Sequence, residues 1–468
     1  MGRKLDRFHS GKWAMLPIFW ALAWPTMLEQ LMQTAVQYID TAMVGALGTQ
    51  ATAAVGATTT VNWLINSTIS AIGVGFLAFI SQAHGAGDKR LAAKASSQAV
   101  LAVLVSGGFF TLLTLGCSPL VPVWMQVDPS IQKLSGQYFF IIYAPMLART
   151  ATIIFGTVLR AAGDTKTPMR VGLWVNAINV VLNALLIYPS RTWRVFSTEI
   201  PVYGAGMGVV GAAIASAIAF TVGGVCITIA LWRHESVSPQ GQSLRPDWDV
   251  LRPCLKVAIP NAFQRFGTSL GYVAFASMIN SLGDISTAAH TIANTVESAF
   301  YIPGYGMQTA AATLAGNAYG AGNKPKIKEL ARVTMVIETI LMVISGAALF
   351  VLAPDMMALF SKDQQVIALG VTVLRMVAVS EPFFGVSIII EGMMQGMGST
   401  VIPFVCNIVG MWGIRILGTF VCIVLLDLGL VSAWACMILH NIILFAIFMV
   451  YYCNGRWIPR EKSSPAAA

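Results

Sequence analysis

Gln82-Ala-His-Gly-Ala-Gly-Asp-Lys89 is a short polar turn between two long apolar stretches, and the chain writes it twice. Asn317-Ala-Tyr-Gly-Ala-Gly-Asn-Lys324 is the same turn 235 positions later. That offset holds without a gap from Pro25/Pro260 through Met43/Met278, Leu47-Gly48/Leu282-Gly283 and Thr52-Ala-Ala54/Thr287-Ala-Ala289 to Lys89/Lys324. It holds again at Gly163/Gly398, Thr165/Thr400 and Pro168/Pro403. A register kept this long means two copies of one structural unit, so function is expected where two similar halves face each other.

With 56% hydrophobic and 10% charged residues and a mean hydropathy of +0.72, the chain is far more apolar than a soluble domain, in which about a quarter of residues are charged. Its apolar runs approach or exceed the roughly 20 residues needed to cross a bilayer. Twelve spans are predicted, at 13–44, 50–80, 92–118, 131–159, 168–189, 206–232, 252–281, 286–315, 329–353, 364–394, 402–427 and 429–453. The basic start, residues 1–12, runs straight into an apolar stretch with no cleavage site, which places the N-terminus in the cytoplasm. On that assignment 21 Lys and Arg fall on inner segments and only Lys133, Arg191, Arg194 and Lys362 on outer ones, so both termini are expected inside the plasma membrane. The net charge of +9 therefore follows topology, and no nucleic-acid partner is expected.

Each half has six spans. An even number makes the copies parallel, related by an axis along the membrane normal. The expected organisation is an N-terminal half over 1–233, a cytoplasmic linker over 234–249 rich in Pro, Gly, Gln and Ser, a C-terminal half over 250–455 and a cytoplasmic tail over 456–468. After the fifth span Gly208-Val-Val-Gly-Ala212 pairs with Gly429-Leu-Val-Ser-Ala433 at an offset of 221, so the first half carries 14 extra residues around Tyr188–Tyr203. That loop reads as an outer rim or as an ordinary insertion. The seven cysteines lack paired spacing and read as small apolar residues, not as a disulfide or metal frame.

With these turns stand Gln37-Tyr-Ile-Asp-Thr-Ala-Met-Val-Gly45, Gly392-Met-Met-Gln-Gly396 and the Gly163-Asp-Thr/Gly398-Ser-Thr pair. On these motifs nearly the whole chain resembles the multidrug and toxic compound extrusion (MATE) transporters. The resemblance implies an all-α membrane protein, twelve transmembrane helices in two six-helix bundles around a central cleft, and cation-driven export by alternating access. In that family an acid on the first helix combines with an Asn-x-x-x-Asp pattern on the fifth; the matching residues are Asp40, Asn179 and Asn183, and the missing last acid weakens a Na+ site there. The seventh-helix acid of the NorM-type branch has Thr268 in its place, and the tenth-helix acid falls near Phe384, one turn from Glu381.

Ionisable groups within spans are costly, which makes them functional hypotheses by default. Asp40, close to Gln33, Gln37 and Tyr38, is expected to take up H+ or Na+ from outside; its alternative is a carboxylate solvated near the helix end. Asn176, Asn179 and Asn183 share one helix face, as cavity amides or as inter-helix hydrogen bonds. In the second half Glu297 is the preferred acid. Glu381 and Arg415 reach similar depths, about 21 and 18 Å above the inner end at 1.5 Å per residue, which suggests an ion pair. Glu391, within one turn of that end, reads as solvated. Glu29 and Arg265, four and five residues after Pro25 and Pro260, are a candidate gate pair, and Arg149 is either a cavity cation or a packing charge. Pro145, Pro303 and Pro382 are expected to bend helices. Tyr38, Trp63, Phe263, Phe300 and Tyr301 are aromatic candidates for stacking on an organic cation or for packing.

The leading expectation is a monomeric secondary transporter of small organic compounds, cationic ones among them, in contact with membrane lipid and needing no cofactor besides H+ or Na+. A flippase of lipid-linked saccharides is the rival; it calls for a strongly cationic cavity, and only Arg149, Arg265 and Arg415 lie deep in spans. Metalloprotease, paired-aspartate and nucleotide-binding motifs are absent, which argues against an enzyme or an ATP-driven pump. The doubled Gly-Ala-Gly turn carries no Gly-Lys-Ser/Thr signature and reads as a structural corner. In the repeat register Asp40 aligns with Phe275, Asn62 with Glu297 and Asn179 with Ile414, and these broken symmetries are where function is expected.

Overall fold

A computed structural model describes residues 15–125, 127–195 and 198–459. The first half contains α1 (Leu16–Gly45), α2 (Thr49–Gly85), α3 (Lys89–Cys117), α4 (Pro129–Tyr143), α5 (Met146–Ala161), α6 (Lys166–Leu186) and α7 (Gly208–Trp232). The second contains α8 (Trp248–Asn280), α9 (Asp284–Gly320), α10 (Lys324–Phe360), α11 (Gln364–Ala378), α12 (Glu381–Gly396), α13 (Val401–Leu425) and α14 (Leu430–Cys453). Seven of these helices are long and apolar enough to cross a membrane, and nine spans are reached when α4/α5 and α11/α12 each count as one. The longer helices α1, α8 and α9 complete twelve; they carry much of the polar chemistry described below.

The two bent spans break at repeat-related positions. α4 and α5 meet at 49° across Ala144-Pro145, and α11 and α12 at 52° across Val379-Ser380, 235 residues later. Proline lacks an N–H and clashes with the preceding turn, so Pro145 sits just before α5 and Pro382 in the first turn of α12. Pro303, expected to interrupt its helix, lies inside a continuous α9. Between α6 and α7 the 14 extra residues fall in an antiparallel hairpin, β1 (Pro189–Val195) with β2 (Thr198–Ala205).

The doubled turn is the same object twice. Ala86, Gly87 and Asp88 donate their N–H to Gln82, His84 and Ala83, and Ala321, Gly322 and Asn323 donate to Asn317, Tyr319 and Ala318. Gly87 and Gly322 have φ of 77° and 67°, a left-handed conformation that favours glycine.

The chain forms two compact units that do not follow the sequence halves. One, the C-unit, gathers residues up to Leu28, Leu77–Asp88 and the chain from Pro253 onward; the other, the N-unit, holds Glu29–Phe76 and Lys89–Arg252. In the C-unit Phe19, Leu22 and Ala23 of α1 share a core with Met307, Ala311 and Leu314 of α9 and Ile389 and Met393 of α12. Here the two turns meet through glycine. A Cβ on Gly85 would strike the Asn317 backbone and a Cβ on Gly320 the Gln82 backbone, an interchange expected across a two-fold axis because 82 and 85 are the repeat partners of 317 and 320. Thr26 Oγ1 donates to Gly306 O at 2.8 Å in the same unit. In the N-unit small residues on α7 admit close neighbours: Gly224 lies on Ala148 of α5 and Gly211 on the Leu186 backbone. The linker is docked rather than free, since Gln98 of α3 bonds Arg245 O and Asp247 N, each at 3.0 Å, and Lys94 forms an ion pair with Asp247.

Candidate functional site

In the N-unit Asp40 lies five residues before the end of α1, and α6 brings Asn179 and Asn183 to it. Asn183 Nδ2 donates to Asp40 Oδ1 at 2.6 Å. The Asn179 amide is assigned with nitrogen toward the carboxylate, because the reverse sets acceptor against acceptor. It then donates at 2.8 and 3.1 Å to the two Asp40 oxygens while its oxygen accepts from Ser216 Oγ of α7 at 3.0 Å. Asn179 and Asn183 are buried and Asp40 half-buried. Asn183 Oδ1 is buried without a partner, so the group can serve the carboxylate with a donor or a newly bound cation with an acceptor. Asn176 is half-buried, and Gln33, Gln37 and Tyr38 are exposed.

Deeper in the same unit, Asn62 Oδ1 accepts from Tyr143 OH and from Arg149 Nη2, both at 2.8 Å. The Arg149 guanidinium stands 4.6 Å from the Phe220 ring and 5.6 Å from the Tyr143 ring. The structure thus makes Arg149 an interior charge capped by aromatic faces.

The C-unit contains four buried acids. Glu297 (α9), Glu338 (α10), Glu381 and Glu391 (α12) are 7%, 0%, 2% and 8% exposed. Glu338 was not marked by the motif reading. Both its oxygens lack partners, and it is wedged where Cβ atoms on Gly304 and Gly385 would come within 2.7 and 2.9 Å of Oε1. An acid inside an otherwise apolar span was the available signal. Glu297, Glu338 and Glu381 lie within electrostatic reach of one another through Glu381.

The expected Glu381–Arg415 ion pair does not form. Arg415 Nη2 donates to Met437 Sδ at 2.9 Å, and its guanidinium stands 4.3 and 4.8 Å from the rings of Phe275 and Tyr272. Its acidic neighbour is Glu297. Residues Gly410–Ile416 run as π-helix and rotate the side chains away from the α-helical register on which the expectation rested.

Glu391 is buried, not solvated. It accepts from Gln264 at 2.6 Å, Gln395 at 2.9 Å and Asn407 at 3.2 Å, amides from three helices that close over the end of α12. Within the N-unit Glu29 accepts from Arg160 Nη2 at 2.6 Å. Arg265 Nε donates to Asn261 at 2.9 Å. The surroundings of Glu29 and of Glu391 follow the repeat register. Glu29, Gly156, Arg160 and Gly172 of the first copy align with Gln264, Glu391, Gln395 and Asn407 of the second. A Cβ on Gly172 would lie 3.6 Å from Glu29 Cγ, so the same four positions converge in each copy. The acid has moved from α1 to α12, with an arginine opposite it in one copy and three amides in the other.

Among the described residues no group of three or more His, Cys, Asp or Glu side chains has metal-site geometry. The cysteines are free thiols, although Cys422 and Cys436 approach to 3.8 Å between sulfurs, a proximity their scattered spacing did not reveal.

The MatE family description matches residues 25–185 and again 260–421, once for each copy. The chain belongs to the MATE family. It is thus a multi-pass membrane transporter and not an enzyme. Among curated relatives, a probable multidrug resistance protein NorM of Thermotoga maritima is 26% identical over 94% of this chain and 92% of its own. A probable multidrug resistance protein YpnP of Bacillus subtilis is 25% identical over 84% of each chain. Solved folds agree. An outward-facing multidrug resistance MATE transporter of the MOP superfamily matches with a TM-score of 0.87 at 21% identity over 97% of this chain and 98% of its own. A MOP superfamily transporter from Pyrococcus furiosus, described as having a binding pocket of reverse polarity, matches at 0.84 with 22% identity over the same shares.

Proposed function

We propose that this MATE protein exports organic compounds across the plasma membrane, with both termini in the cytoplasm, by exchanging them for inward-moving H+ or Na+ at Asp40. The observation that carries the reading is the convergence of Asn179 and Asn183 on Asp40, a carboxylate with amide donors and no basic partner. Such a carboxylate can accept a cation without first breaking an ion pair. Cation binding removes its charge, and the two amides can turn an oxygen toward the proton or metal. Alternating access then needs the loaded and empty forms to prefer different conformations, because a ligand shifts an equilibrium only through differential affinity. Glu297, with Glu338 and Glu381, supplies a second group of protonatable oxygens in the C-unit.

Two features favour export of organic compounds over flipping of a pyrophosphate-linked lipid. Arg149 and Arg415 are covered by aromatic rings, and Arg265 is bonded to Asn261, so the deep cations are engaged inside their own units. The named relatives are multidrug resistance proteins. The test is transport of a panel of fluorescent organic cations and neutral dyes by purified protein in proteoliposomes. Imposed H+ and Na+ gradients are applied separately; accumulation with one gradient supports the reading and identifies the ion. Equal accumulation with no gradient contradicts it.

A further inference from the structure

We infer that a cavity at the linker end of α3 and α7 binds a phosphate-bearing anion, either the headgroup of an anionic lipid or a soluble phosphate compound. The cavity has a volume of about 540 Å³ and lies wholly within the N-unit. That is within the ordinary size range of small-molecule sites. Lys89 and Arg233 line it, and among the described residues neither has an ion-pair partner. Two acids nearby are engaged elsewhere: Asp247 pairs with Lys94, and Asp164 accepts from Thr167 at its backbone N and its hydroxyl. Two cations on one wall repel each other until an anion joins them. Glu235 also lines the cavity, and its carboxylate offsets part of the positive charge.

His234 contributes a neutral donor. Its Nδ1 accepts from the Ser236 backbone N–H at 3.3 Å, which fixes the proton of the neutral ring on Nε2. Burial lowers its pKa below the usual 6.5, with Asp164 and Glu235 acting in the opposite direction. Ser236 and the two cations complete a set of N–H and O–H donors suited to phosphate oxygens. The depth also fits. Trp232 is the last residue of α7, and its ring packs edge-on against Phe155 at 6.2 Å, an aromatic anchor of the kind found at headgroup level.

The linker makes the cavity preformed. Ser238 Oγ donates to Trp232 O at 2.7 Å, Val237 is fully buried, and the segment beyond is tied to α3 through Gln98 and Lys94. Bundle packing alone does not require this arrangement. At the repeat offset of 221, Trp232-Arg233-His234 is replaced by Cys453-Asn454-Gly455.

The experiment compares full-length protein in phosphatidylcholine nanodiscs with and without phosphatidylglycerol, scoring retained lipid by native mass spectrometry. A parallel arm in phosphatidylcholine alone titrates inorganic phosphate and glycerol 3-phosphate and reads the thermal shift. Preferential retention of phosphatidylglycerol assigns a lipid source, and a saturable shift with the phosphate compounds assigns a soluble one. In either case Lys89→Ala/Arg233→Ala should weaken binding about 30-fold. The charge-matched control Lys326→Ala/Lys328→Ala should leave it unchanged. Glu235→Gln, which keeps both cations, should tighten it. Binding in neither arm, or equal loss in the control pair, overturns the inference.

Discussion

Neutralising Glu29 or Arg160 separately should destabilise the N-unit far more than neutralising both. The two groups meet at 2.6 Å with their side chains 8% and 17% exposed, so most of their hydration is already lost. Removing one partner strands the other charge in an apolar bundle, a cost of about 3–5 kcal/mol, with the partial exposure of Arg160 favouring the lower end. Glu29→Gln/Arg160→Gln strands no charge. It also reproduces the two amides that the second copy places at the aligned positions, Gln264 and Gln395. The double variant should therefore fall within about 1–2 kcal/mol of the parent, so single losses near the lower end, about 3 kcal/mol each, give a coupling energy of about 4–5 kcal/mol. A double-mutant cycle on reversible denaturant unfolding in detergent measures it. Additive single effects, or single losses below about 1 kcal/mol, would refute the idea that these four positions form one site in each copy.

Three further outcomes follow from particular contacts. Gly85→Ala puts a Cβ onto the Asn317 backbone, whereas Gly87→Ala meets open space and pays only for its positive φ. The first should lower the unfolding midpoint well beyond the second, which costs about 1 kcal/mol; equal effects would remove the backbone contact between the turns. Glu338→Met exchanges a carboxyl with two unpartnered oxygens for an apolar chain of similar volume, so stability should rise by about 1–3 kcal/mol while gradient-driven transport falls. Unchanged transport would leave Glu338 without a part in coupling. Asp247 is held below its ordinary 3.8 first by the Lys94 hydrogen bond and then by the Asp249 N–H. A lowered carboxylate keeps its clamp above the ordinary value and loses it as pH falls through the lowered one. Protection factors for amide exchange in residues 240–249 should therefore stay high at neutral pH and fall below about pH 4, with Asp247→Asn lowering them already at neutral pH.

The repeat and the twelve spans were legible because each rests on local spacing or on a register that runs along the chain, whereas the Asp40–Asn179–Asn183 group, with Asp40 and Asn183 143 positions apart, was assembled only through the family pattern. Partners contributed by distant helices were not. Glu29 meets Arg160 across 131 positions, and Glu391 is buried by Gln264 and Asn407 from two other helices. No pattern within a single span carries such information. Counting 1.5 Å per residue assumes an α-helix, and the π-helical stretch around Arg415 sets its direction. Glu338 sits opposite Val103 in the repeat register. Comparing the copies position by position would have exposed it, since a carboxylate facing a valine is as broken a symmetry as Asp40 facing Phe275.

Asp40→Asn tests the central claim most directly. The variant keeps a polar side chain of nearly the same shape beside Asn179 and Asn183 but cannot gain and lose a proton or offer a charge to Na+. In proteoliposomes it should bind dye and equilibrate it down its own gradient, yet fail to accumulate dye when an H+ or Na+ gradient is imposed. Full gradient-driven accumulation by Asp40→Asn would contradict the assignment of coupling to this carboxylate.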